Sequence, residues 1–75
     1  MVFHNHYFNI DPKKIAFLKF IIEGYDGLAT ITTVDRKLGR IKLVSPSTRT
    51  EELHDLLQDL AVNCKLTEIN NHSAK

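Results

Sequence analysis

The chain has 75 residues and a mass of 8.6 kDa. That is one small domain, of a size that hides roughly 60% of its unfolded surface. Hydrophobic residues at 43% and charged residues at 25% exclude a disordered chain, and a net charge of +1 argues against a protein built mainly to bind nucleic acid. The single cysteine, Cys64, excludes an internal disulfide framework and a four-thiolate metal site.

No apolar run approaches the roughly 20 residues of a membrane span, so no membrane partner is expected. The chain opens on Met1-Val2-Phe3-His4, with no basic run and no cleavable apolar segment. With one thiol, this fits a cytoplasmic protein. No linker, repeat or low-complexity block divides the chain. A single domain is expected over residues 1–70, with a frayed tail over 71–75.

Val2 to Ile10 reads as the first strand, rich in aromatic and β-branched residues, with Phe8 and Ile10 on one face. Asp11-Pro12 then opens a helix: Asp caps free N–H groups, and Pro is tolerated at the first helical position. The helix extends to about Glu23 and ends at Gly24 or Gly27. Ile15, Leu18 and Ile22 share one of its faces. Phe17, Phe20 and Ile21 cannot all turn inward as well.

Leu28 to Asp35 is the second strand, carried by the β-branched run Thr30-Ile31-Thr32-Thr33-Val34. Arg36-Lys37-Leu38-Gly39 forms a hairpin turn in which Gly39 takes a positive φ. Arg40 to Val44 is the third strand, with Ile41 and Leu43 on one side and Arg40, Lys42 and Val44 on the other. Ser45-Pro46-Ser47 breaks the chain, and Thr48-Arg49-Thr50-Glu51 has capping-box spacing. The second helix is amphipathic. Leu53, Leu56, Leu57, Leu60 and Ala61 form its apolar stripe, with His54, Asp55, Gln58 and Asp59 opposite. Leu66 to Ile69 is a short final strand.

The order β-α-β-β-α-β predicts an α+β, ferredoxin-like two-layer sandwich: a four-stranded antiparallel sheet with two helices on one face. The other sheet face is open, and function is expected there, although the fold itself names none.

The stretch from Ile15 to Ala29, above all Glu23-Gly24-Tyr25-Asp26-Gly27-Leu28-Ala29, with Thr33-Val34-Asp35 after it, resembles a bacterial family. That family is catalogued as domain of unknown function 4911. The resemblance covers roughly Tyr7 to Leu60 and implies a stand-alone bacterial domain without known catalytic residues. At fold level the chain also resembles the ACT-type regulatory domains, which bind small ligands between paired domains. Their Gly-rich turn after the first strand is replaced here by Asn9-Ile10-Asp11-Pro12.

Two surfaces are the candidate ligand or partner sites. One is the loop of Glu23, Tyr25, Asp26 and Gly27, in which glycines hold two carboxylates and a phenol at the sheet edge. As a plain structural element, the same residues form a helix C-cap and turn. The other is the open sheet, where Thr30, Thr32 and Lys42 are expected, with Tyr7 or Phe3 available for stacking. His4 and His6 are weak metal candidates, two residues apart on one strand face, with His72, Cys64 or a second subunit as further ligands. Near a chain end, two histidines are more simply solvated edge residues. Cys64 reads as a small buried hydrophobe. No motif calls for a cofactor or defines a catalytic residue. The expected function is a non-enzymatic interaction or ligand-sensing module that self-associates as a homodimer, through the first helix or by apposition of the open sheets. RNA binding on the open sheet is the first alternative, and an enzyme using Glu23, Tyr25 and Asp26 the second.

Overall fold

The structure, a computed structural model, describes residues 2–69. The tail over residues 71–75, and His72 with it, lies outside the described residues. Four strands, β1 (Phe3–Asn9), β2 (Thr30–Asp35), β3 (Arg40–Pro46) and β4 (Thr67–Ile69), form one sheet. Their spatial order is β2-β3-β1-β4, and every neighbouring pair is antiparallel. Helix α1 (Ile15–Glu23) links β1 to β2, and α2 (Thr50–Cys64) links β3 to β4. This is the α+β ferredoxin-like arrangement that the order of elements predicts.

The entry to α1 follows the sequence closely. The Asp11 carboxylate accepts the Lys13 amide at 3.0 Å, and Pro12 takes the first position. The first turn, Pro12–Lys14, is a 3-10 turn, and the α-helix proper starts at Ile15. Ile15, Leu18 and Ile22 are buried, as their spacing predicts. Leu28 lies outside β2 because its amide closes the preceding turn onto the Tyr25 carbonyl at 3.1 Å.

Helix α2 begins differently from its sequence signal. No side chain caps it, and Thr48 belongs to a 3-10 turn over Ser47–Arg49. That turn displaces the capping box. Glu51 and Glu52 in the first turn answer the helix dipole instead. At the far end Lys65 is left-handed, with φ 55°, and the Leu66 amide reaches back to the Ala61 carbonyl at 3.0 Å. This is a Schellman closure made with lysine where glycine is usual.

The core lies between the helices and one sheet face. Ile41 and Leu43 of β3 and Phe8 of β1 meet Leu18 and Ile22 of α1 and Leu53 and Leu57 of α2. β3 alternates cleanly: Ile41, Leu43 and Ser45 are buried, while Lys42, Val44 and Pro46 are only half-covered. The β2–β3 hairpin turns through residues 36–39, with the Leu38 amide on the Asp35 carboxylate at 3.1 Å. Gly39 has φ 74°, and a Cβ there would collide with the Ile10 carbonyl. Two independent reasons therefore demand glycine.

Two stability changes follow. Leu18→Ala, at a fully buried site, should cost about 3 kcal/mol. Gly39→Ala should cost about 2 kcal/mol or more, through φ strain and displacement of the end of β1. Urea unfolding midpoints at constant m-value check both.

Candidate functional site

Register decides which side chains meet on the open sheet. Lys42 lies opposite Tyr7 on one side and Thr32 on the other, and Thr30 lies opposite Val44. Thr30, Thr32 and Lys42 thus share the open face, with Tyr7 and Phe3 joining from β1. Gly27 and Thr30 also line a shallow depression with Phe3, Val44 and Pro46. The sequence-derived site residues divide between this surface and the end of α1.

At the end of α1, Gly24 closes the helix with its amide on the Ile21 carbonyl at 3.1 Å. Gly27 takes φ 73°, and the Glu23, Tyr25 and Asp26 residues are exposed. Glu23, Gly24 and Tyr25 line a surface depression with Phe20 and Ile21, while Asp26 is not among its walls. The loop is held by a residue that the sequence does not single out. Arg49 donates from Nη1 to the Asp26 carbonyl at 2.6 Å and from Nε and Nη2 to the Glu52 carboxylate, both at 3.0 Å. This pairing raises the Arg49 pKa and lowers that of Glu52.

The depression continues onto the outer face of α1. Phe17 is 41% exposed, Phe20 76% and Tyr25 43%. Positions 17, 20, 21 and 24 recur at helical spacing, so α1 carries a second stripe roughly opposite Ile15, Leu18 and Ile22. Lys14 Nζ stands 5.7 Å from the Phe17 ring centroid at the start of that stripe.

Among the described residues β4 pairs only with Tyr7–Asn9, so at His4 and His6 strand β1 is paired on one side only, and His4 is exposed, as an edge position implies. His4 and His6 lie opposite Ser45 and Leu43 of β3, on the helix-facing side of the sheet. His6 Nε2 is 3.3 Å from Ser45 Oγ, which is 3.4 Å from Thr50 Oγ1, which is 3.2 Å from His4 Nδ1. Ser45 is fully buried, and this chain satisfies its hydroxyl. The further histidine comes from α2: the His54 ring centroid is 5.7 Å from that of His6. Glu68 of β4, opposite Phe8, completes the group. Burial lowers the His6 pKa, His54 and His4 reinforce that, and Glu68 opposes it. His54 and Glu68 were missed because neither is near His6 in sequence. The usable signal was the position of His54 at the border of the apolar stripe, beside Leu53 and Leu57.

Cys64 is no partner for these histidines. It is buried at the end of α2, and its carbonyl accepts the Asp11 amide at 3.0 Å, beyond the opposite end of β1 from His4. Burial pushes the thiol pKa up, with Lys14 acting against it and Asp11 with it. The native thiol should therefore react with an aromatic disulfide reagent at least about tenfold more slowly than the urea-unfolded chain. Equal rates would show that the C-terminal end of α2 opens freely.

Among the described residues no helix is long and apolar enough to cross a membrane. No curated protein and no solved structure matches the chain. Over residues 8–63 it matches the family described as Domain of unknown function (DUF4911), the stretch running from Phe8 of β1 almost to the end of α2. The chain belongs to that family.

Proposed function

We propose that the protein is a non-enzymatic interaction module that works as a homodimer, α1 packed antiparallel against α1 of a second copy. The observation that carries this is the second apolar stripe of α1, in which Phe20 is 76% exposed beside Phe17 and Tyr25. A small domain with a thin core gains most from burying such a stripe. Charge favours a second copy as the occupant. Lys13 and Lys14 stand at the start of α1, and Glu23 and Asp26 stand at its end. A two-fold axis across the middle of the helix brings each basic end against an acidic one. The loop of Glu23, Tyr25, Asp26 and Gly27 adjoins this seam. A small ligand or protein partner taken there would bias pairing, which is how a sensing role would operate.

A second reading, single-stranded RNA on the open sheet, has Tyr7 and Lys42 as register partners in its favour. The net charge of +1 weighs against it. Salt-dependent oligonucleotide binding that is lost in Lys42→Ala would establish it.

Light scattering during size exclusion, at two protein concentrations, tests the dimer. The wild type should show twice the 8.6 kDa chain mass. Phe20→Glu should run as a folded monomer, with affinity reduced about thirtyfold or more. Lys14→Glu should weaken pairing, and adding Glu23→Lys should restore it. A wild-type monomer at both concentrations overturns the reading.

A further inference from the structure

Away from the α1 surface, the helix-facing side of the sheet holds a constellation with a different chemistry. Ligand atoms of His6, His54 and Glu68 all lie within 4.8 Å of one another. Three elements supply them: β1, α2 and β4. We propose that His6, His54 and Glu68 bind one divalent transition cation of the zinc class, with a coordination position left for water or a small ligand.

Donor chemistry limits the ion. Two imidazoles and a carboxylate suit zinc, cobalt or nickel, whereas calcium and magnesium require oxygen ligands throughout. Tetrahedral bonds of about 2.0–2.1 Å set ligand atoms about 3.3 Å apart. The present spread of up to 4.8 Å must close to that when an ion binds, and the exposed His54 and Glu68 side chains are the members that make the adjustment. His54 and Glu68 are exposed, while His6 is half-buried. Its orientation is already set. Ser45 Oγ holds Nε2 at 3.3 Å, and Ser45 is in turn tied to Thr50 and His4. An imidazole anchored through one nitrogen presents the other to a metal, which is the usual outer-shell arrangement of histidine ligands. His4 belongs to this support, joined to His6 through the two hydroxyls.

The free position has somewhere to point. His54 and Glu68 also line an open cavity of about 230 Å³ walled by Phe8, Leu57, Ala61 and Leu66. That volume admits water or a small anion. Binding would also fasten β4, which spans Thr67–Ile69 among the described residues, to β1 and α2.

Isothermal titration of the chelator-treated full chain with zinc chloride tests the site, with cobalt chloride as a spectroscopic probe. One ion per chain, visible cobalt bands of tetrahedral intensity, and a Tm raised by about 10 °C or more at a hundredfold excess over Kd are expected. His54→Ala and Glu68→Gln alter exposed side chains and should keep the fold. Each should weaken binding at least about tenfold and reduce the Tm shift. His6→Gln should abolish binding, with circular dichroism checking its fold. Two outcomes overturn the site: no saturable binding by the folded wild type, or wild-type affinity in both His54→Ala and Glu68→Gln.

Discussion

The Ile10 amide donates to the Gly39 carbonyl at 2.7 Å, while the Ile10 carbonyl occupies the space that any side chain at Gly39 would need. This reciprocal contact pins the end of β1 against the hairpin that joins β2 to β3. With it in place, Phe8 stands opposite Ile41, His6 opposite Leu43 and His4 opposite Ser45. A slip of one residue would turn Phe8 outward and bring Asn5 and Tyr7 into the core. The core and the histidine group therefore share one determinant, Gly39.

The two helices solve the burial problem differently. In α2 one stripe faces the sheet and the rest is polar apart from a single exposed residue, Val62, so the element leaves no second apolar stripe. In α1 the inner stripe of Ile15, Leu18 and Ile22 already satisfies the sheet. Phe17 and Phe20 add apolar surface that contributes nothing to the monomer's core. At about 25 cal/mol per Å², covering side chains of this size is worth roughly 2 kcal/mol each. That is a large term for a domain whose whole stability is about 5–15 kcal/mol. The asymmetry between the helices is what separates a surface available for association from a merely solvated one.

Local chemistry made much of the fold readable. The β-branched run at residues 30–34, the Asp11-Pro12 start and Gly39 each act within a few residues, and the structure follows them. The inner stripe of α1 was legible for the same reason. The capping box failed because the 3-10 turn over Ser47–Arg49 competes for the same residues. The face of β1 was illegible, since Phe3, Tyr7 and Phe8 divide its aromatic residues between both sides. Only pairing with β3, far along the chain, decides it. The same holds for the histidine group, where β1, α2 and β4 each contribute one member. Strand order brings them together, and no spacing in the sequence records it. Of the residues singled out beforehand, Lys42 and Thr32 are neighbours by hairpin register, which sequence does encode.

Arg49 shows which of two interactions carries an exposed contact. Its fork to Glu52 is an i,i+3 pair open to solvent, and such exposed pairs add little to stability. Salt screens the pair further. Its bond to the Asp26 carbonyl spans 23 residues of sequence and joins two separate elements. Glu52 therefore acts by orienting the guanidinium, leaving Nη1 to hold the turn that follows α1. That turn sets the direction in which Tyr25 leaves the helix, and so the end of the apolar stripe. Thr50, the next residue, reaches the opposite way to His4 and Ser45. The start of α2 thus fixes one end of the α1 surface and the polar support of His6 together, through two adjacent residues whose side chains diverge.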